Sequence, residues 1–204
     1  MNDAVDAKEA DRAHHVLVFC GSSASCDARY IEAATQLGTL LARAGKVVVY
    51  GGGAAGSMGA LADAALAEGG EVIGIQPRFM RELEWSHGGL TALQIVDDMQ
   101  ERKRRMIASA DAVVTLPGGS GSLEELFEAI TSKRLGLYLN PIIILNQDGF
   151  YDALLAQLSH CVDESFMGEQ HREMWQVVAN PEAVLDAIEN APCWSKDALD
   201  FATL

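Results

Sequence analysis

Positive charge is scarce in this sequence. Fifteen lysines and arginines stand against 29 acidic residues, for a formal net charge of −14. A surface of that sign repels nucleic-acid phosphates and excludes a non-specific DNA or RNA binder. A small phosphorylated ligand stays possible if a local cluster of donors receives it. Cysteine is also rare: Cys20, Cys26, Cys161 and Cys193 show neither C-x-x-C spacing nor a paired framework. They read as reduced thiols of a cytoplasmic protein. No apolar run approaches the roughly 20 residues that cross a bilayer, so no membrane association is expected. His87, His160 and His171 share no metal-ligand spacing, and H-E-x-x-H is missing, so no metal is expected. No Pro/Gly/Ser-rich linker divides the 204 residues. One domain is expected over residues 15–190, between a polar N-terminal tail (1–14, with no signal-peptide core) and a C-terminal tail (191–204).

Short β-rich runs alternate with longer helical patterns. Val16 to Cys20, Val47 to Tyr50, Val72 to Ile75, Ala112 to Leu116 and Ile142 to Leu145 read as strands, with Leu93 to Val96 and Trp175 to Val178 as two shorter ones. Their apolar faces are continuous, as in strands buried on both sides. Helices are predicted over Tyr30 to Ala44, Ser57 to Glu68, Met99 to Ser109, Leu123 to Leu137, Tyr151 to Cys161 and Pro181 to Glu189. This order predicts an α/β, single-domain, Rossmann-like three-layer fold: a mainly parallel sheet between helices. Ligands in such folds sit at the carboxyl ends of the strands. Three strands end there in glycine- or serine-rich turns, at Gly21-Ser22, at Gly51-Gly52-Gly53 and at Pro117-Gly118-Gly119.

The run Gly51 to Gly56 satisfies G-x-G-x-x-G between a strand and a helix, which raises a dinucleotide reading. That reading also needs an acid at the end of the next strand; Glu71 begins that strand and Gln76-Pro77 ends it. The run Pro117-Gly118-Gly119-Ser120-Gly121-Ser122-Leu123-Glu124-Glu125 is more specific. Its glycines allow backbone to approach a ligand. Ser122 and Glu125 also fit the S-x-x-E capping box, in which Glu125 does no more than satisfy the Ser122 N–H; Glu124 is then its competitor for a catalytic role. The one dense basic run is Glu101-Arg102-Lys103-Arg104-Arg105. On a helix Met99, Arg102 and Met106 share a stripe with Lys103 nearby, so one arginine can turn inward while its neighbours face water.

Together these segments resemble the LONELY GUY family, often labelled "lysine decarboxylase-like". Its P-G-G-x-G-T-x-x-E pattern reads here as Pro117 to Glu125, and its M-x-x-R-K-x-x-M helix as Met99 to Met106; Phe19 to Ser23, Tyr50 to Gly59, Leu145-Asn146 and Gly149 to Tyr151 match as well. The resemblance implies hydrolysis of the N-glycosidic bond of adenosine 5′-monophosphate or its N6-substituted, cytokinin-type relatives, giving a free base and ribose 5-phosphate. It implies catalytic roles for Arg102 and Glu125, with no cofactor. Substrate contacts are expected from Gly21, Ser22, Gly51, Gly52, Gly53, Met99, Lys103, Pro117, Gly118, Gly119, Ser120, Gly121, Ser122 and Glu124, and a homodimer is expected, with the helix from Leu123 able to contribute. Ser122 stands where the family has threonine, and Ser57, Ser120 and Thr131-Ser132 also depart from the family pattern. A nucleotide-binding or carrier module without turnover is the alternative. A pyridoxal-phosphate decarboxylase is rejected, because among Lys8, Lys46, Lys103, Lys133 and Lys196 none has a suitable context; Lys46 and Lys133 read as surface positions.

Overall fold

The computed structural model describes residues 14–83, 85–195 and 197–198. In chain order the elements are β1 (His15–Phe19), α1 (Ala28–Arg43), β2 (Val47–Tyr50), α2 (Gly56–Ala67), β3 (Val72–Pro77), α3 (Arg78–Glu82), β4 (Ala92–Val96), α4 (Met99–Ala108), β5 (Ala112–Thr115), α5 (Ser120–Arg134), β6 (Ile142–Leu145), α6 (Asp152–Asp163), β7 (Gln176–Val178) and α7 (Val184–Glu189). Short 3-10 turns lie at Gln147–Gly149, Glu169–Met174 and Pro181–Ala183. All strand pairings are parallel, in the order β4-β3-β2-β1-β5-β6-β7. The Rossmann-like α/β expectation is therefore met.

Alternate residues of each central strand feed two separate cores. Val16 and Val18 of β1 pack with α1, α2 and α7 through Leu37, Leu41, Leu61 and Val184. Leu17 and Phe19 pack on the other face with α4, α5 and α6 through Met106, Leu126, Ala129 and Leu158. This two-sided burial is why the central strands read as unbroken apolar runs. The edge strands β4 and β7 are partly exposed. The chain builds one half of the sheet outward from β1, then returns to β5 on its other side, so the switch in strand order falls between β1 and β5. Crevices at such switch points receive ligands.

Local chemistry sets the helix ends. The Asp27 carboxylate accepts the Arg29 N–H at 3.1 Å at the start of α1, and the Asp98 carboxylate accepts the Glu101 N–H at 2.7 Å at the start of α4. Gly45 follows α1 with φ +68°, a left-handed stop that needs no Cβ strain.

Several expectations need correction. The helix predicted over Leu123 to Leu137 begins at Ser120 and stops at Arg134, because the glycine-serine turn itself supplies the first helical turn. β3 continues through Gln76 and Pro77, and the short helix α3 follows it directly. Lys46 and Lys133 are not surface residues: both are buried, Lys133 at 2% exposure. Burial is tolerable at Lys133 because its ammonium donates to the Asn140 carbonyl at 2.8 Å and lies 5.9 Å from the Trp194 ring centroid. Desolvation pulls its pKa down to about 8. Trp194, in the segment expected as a C-terminal tail, donates its indole N–H to the Lys133 carbonyl at 2.7 Å. The expected N-terminal tail lies outside the described residues except for His14, whose N–H donates to Asp111. Among the described residues no helix is long and apolar enough to cross a membrane.

The tightest helix contact is α1 on α2 at Gly38, where a Cβ would sit 2.3 Å from the Leu61 carbonyl oxygen. Gly38→Ala must push the two helices apart, and overpacking of this kind costs about 1–3 kcal/mol. Urea unfolding is expected to show that loss; an unchanged midpoint would mean the contact yields freely.

Candidate active site

The three glycine turns meet. A Cβ on Gly21 would lie 3.6 Å from the Gly118 Cα, and one on Gly56 would lie 2.5 Å from the Ser23 carbonyl oxygen. The Met58 N–H donates to the Gly21 carbonyl at 3.1 Å. The turns after β1, β2 and β5 thus form one continuous wall; a Cβ at Gly56 would collide with the Ser23 backbone, whereas one at Gly21 would make only ordinary contact.

Above this wall lie Arg102 of α4 and Glu125 of α5, each about 5% exposed. Arg102 Nη1 stands 3.2 Å from Glu125 Oε1. The rest of the guanidinium is tied to strand ends: Nε donates to the Ile75 carbonyl at 3.1 Å, Nη2 to the Gly51 carbonyl at 3.5 Å, and Nη1 lies 4.0 Å from the Met99 sulfur. Gly51 has no room for a Cβ, which would fall 2.2 Å from Nη2. One arginine therefore links the ends of β2 and β3 to α5. Arg104 and Arg105, its neighbours in the basic run, are exposed as expected.

The capping-box role for Glu125 does not hold. Gly119 caps α5 without any side-chain bond, Ser122 lies inside the first turn, and Glu125 faces Arg102. Burial pushes the Glu125 carboxyl up to about 7, against the opposing pull of Arg102; Glu124 and Glu128 add to the rise and Lys103 resists it. Nearness to the arginine thus does not by itself keep Glu125 ionised, because desolvation is the larger effect.

Lys103 and Glu124 are placed differently from the other expected contacts. The buried Lys103 ammonium lies between the carboxylates of Glu124 and Glu128, one helical turn apart on α5. Those two partners hold its pKa above the ordinary value, Glu124 foremost. This cluster clamps α4 to α5 beside the Arg102–Glu125 pair.

The first turn of α5 is open. Gly119, Ser120 and Gly121 are exposed, and a Cβ on Gly119 or Gly121 would meet nothing within 4 Å. The uncapped N–H groups there, reinforced by the helix dipole, suit an anion. Ser122 is buried, its hydroxyl filling the space a Cβ on Gly118 would take, while Ser22 is exposed and Pro117 buried. Cys20, read as a buried small residue, is only 2% exposed. Burial and then the Glu125 charge push its thiol pKa up, opposed by Arg102, so the thiol stays protonated and a poor nucleophile. Residues missed by sequence reasoning include Tyr50 and Tyr151, whose hydroxyls donate to the carbonyls of Gly53 at 3.0 Å and Leu116 at 2.7 Å. Both look like core aromatics in sequence, with no local pattern marking their polar ends.

A carboxyl NMR titration, assigned with Glu125→Gln, is expected to place the Glu125 midpoint near 7. Lys103→Met should move it upward, because a cation that favours the carboxylate is lost and two acids beside it lose their partner. A midpoint near the ordinary 4.5 would remove burial as the dominant effect. Since the folded-state value lies above the unfolded one, this group's contribution to stability is full below about 4.5 and is lost as pH rises through about 7.

Comparison with known proteins places the chain in a family. The family described as "Possible lysine decarboxylase" matches residues 58–188. A cytokinin riboside 5′-monophosphate phosphoribohydrolase from Rhodococcoides fascians is 37% identical over 187 residues, covering 91% of this chain and 94% of its own. A protein of the same name from Arabidopsis thaliana is 40% identical over 172 residues, covering 84% and 78%. Among solved structures, a molybdenum cofactor binding protein from Rippkaea orientalis superposes with a TM-score of 0.67 at 23% identity, over 87% of this chain and 96% of that one. The molybdenum cofactor carrier protein of Chlamydomonas reinhardtii gives 0.68 at 18%, over 88% and 98%. At those identities the solved structures share the fold alone. Sequence identity over nearly the whole length carries more: the chain belongs to the cytokinin riboside 5′-monophosphate phosphoribohydrolase, or LONELY GUY, family.

Proposed function

We propose that this protein hydrolyses the N-glycosidic bond of adenosine 5′-monophosphate or its N6-substituted relatives, releasing the base and ribose 5-phosphate. The observation that carries this reading is the buried Arg102–Glu125 pair set beside an open, uncapped helix start. The phosphate sits on the N–H groups of Ser120, Gly121 and Ser122. Glu125 lies three to five residues further along α5, about 4.5–7.5 Å along the axis at the rise of an α-helix, a reach comparable with that from phosphorus to C1′ in a ribose 5-phosphate. Breaking the bond at C1′ builds positive charge on the sugar, as in glycoside hydrolysis generally. The Glu125 carboxylate stabilises that charge and accepts a proton from the attacking water. Arg102 already spends donors on two backbone carbonyls and Glu125. Three of its five N–H donors are thus engaged, and the bond to Glu125 fits it to orient that carboxylate. Lys133 does not revive the decarboxylase label: it lies eight residues beyond Glu125, about 12 Å along α5, with its amine bound to Asn140.

Purified protein incubated with adenosine 5′-monophosphate and with its N6-isopentenyl analogue is expected to release free base and ribose 5-phosphate. Glu125→Gln should lower kcat by about 10²–10⁴-fold while still binding nucleotide. Because the carboxylate is the working form, kcat/KM should rise with pH through an inflection near 7. Binding without release from either nucleotide would instead favour a carrier module.

The protein works as a homodimer. α5 and the turn after it expose Phe127, Leu135 and Leu137, and Phe127 and Leu135 line a shallow groove of about 440 Å³ with Glu124, Glu128, Thr131 and Ser132. Exposed apolar side chains grouped on one face mark association surfaces. Light scattering should report twice the 21.8 kDa chain mass, and Phe127→Glu should reduce it to the single-chain value. A wild-type monomer at micromolar concentration would rule the dimer out.

A further inference from the structure

Every carbonyl of the Gly51–Gly53 turn has its own donor. Arg102 Nη2 serves Gly51 at 3.5 Å, the His87 N–H serves Gly52 at 2.9 Å, and the Tyr50 hydroxyl serves Gly53 at 3.0 Å. A trans peptide holds its N–H opposite its C=O. With each carbonyl turned toward its donor, the N–H groups of Gly52, Gly53 and Ala54 turn the other way. The Ala54 N–H is used, donating to the Trp85 carbonyl at 3.1 Å. The direction of the Gly53 N–H is therefore set by the bond from His87. Gly52 has φ +80°, a conformation that glycine enters and leaves at little steric cost. Nothing within its own side chain holds that peptide plane.

We propose that His87, braced by Asp63, is a positioning residue that orients the Gly52–Gly53 peptide for substrate. The His87 side chain is 11% exposed and connects three pieces of chain. Its Nδ1 accepts the Gly89 N–H at 3.1 Å, so the proton sits on Nε2, which lies 2.9 Å from an Asp63 carboxylate oxygen. Asp63 belongs to α2, the helix that begins where the glycine turn ends. Turn, helix and the segment around residues 85–89 thus close into a loop of hydrogen bonds, to which Ser86 adds a bond from its hydroxyl to Gln76. Two exposed glycines, Gly88 and Gly89, follow His87. Without the imidazole that turn loses the acceptor that orders it, and the Gly53–Ser86 bridge, whose two backbone bonds join His87 to Gly52 and Ala54 to Trp85, keeps only the Ser86–Gln76 bond to brace it. The imidazole bonds to Gly89 and Asp63 and acts through the glycine turn rather than on Arg102 or Glu125, so its effect falls on binding rather than on the chemical step. This assignment rests on the reading of the glycine turn as part of the nucleotide site.

The test is calorimetric titration of adenosine 5′-monophosphate into the full chain, together with steady-state hydrolysis, for wild type, His87→Ala, Asp63→Ala and Asp63→Asn. His87→Ala and Asp63→Ala are expected to raise Kd and KM by about tenfold, the scale of one ordered hydrogen bond, with kcat changed less than about threefold. Asp63→Asn, whose amide oxygen still accepts the Nε2–H, should recover most of the loss seen in Asp63→Ala. Circular dichroism melts establish that each variant is folded. Unchanged Kd in a folded His87→Ala protein overturns the proposal, as does a fall in kcat at constant KM, or an Asp63→Asn protein no better than Asp63→Ala. A wild type that neither binds nor hydrolyses the nucleotide removes the nucleotide reading itself, and the positioning role with it.

Discussion

Arg102 and Glu125 form an ion pair that has left water almost completely, and much of the local architecture is arranged around that cost. Removing two charges from solvent is expensive, and mutual attraction repays it only when the remaining donors and acceptors are also used. Here the backbone carbonyls of Ile75 and Gly51 take up the guanidinium. Those carbonyls are available because β2 and β3 end side by side in the parallel sheet. The same contact explains why position 51 lacks a side chain, since a Cβ there would occupy the place of Nη2. A buried pair held by strand ends keeps one geometry, and the role we propose for Glu125 at C1′ requires that constancy.

The acidity of the protein bears on the pair through its immediate neighbours. Glu124 and Glu128 flank Glu125 on α5 and raise its pKa, while the Lys103 ammonium lies between them and works against the rise. Burial still dominates, which leaves the carboxyl near 7 and able to exchange a proton at neutral pH. Anion binding is assigned elsewhere, to backbone N–H groups at the start of α5, where no side-chain cap competes. The phosphate site we propose would let a protein with net charge −14 receive its ligand through dipoles rather than through a basic surface.

The sheet was legible because its residues obey short-range rules. Valine and isoleucine runs such as Val47 to Tyr50 and Ile142 to Leu145 are strands wherever both faces are covered, and these two have the bounds that the pattern suggests. The inward turn of Arg102 and Met106 also followed from helical periodicity. Local rules failed where a competing local pattern existed. Ser122 and Glu125 satisfy a capping box in sequence, yet α5 starts at Ser120 and Glu125 finds Arg102 instead. Lys133 reads as a surface lysine on a helix, yet it is buried, with its ammonium on the Asn140 carbonyl and near the ring of Trp194, 61 positions away.

Taken alone, the sequence determined the alternation of strands and helices and the three glycine turns, because each depends on spacing within a few residues; the resemblance to the family is what pointed to Arg102 and Glu125 and to glycosidic chemistry. Tertiary structure decided which partner each side chain meets. That Lys103 clamps Glu124 and Glu128, that His87 orients Gly52 from a segment more than thirty residues distant, and that burial rather than Arg102 governs Glu125 are all consequences of chain segments remote in sequence. Desolvation and hydrogen-bond direction belong to the assembled neighbourhood, so no window of sequence contains them.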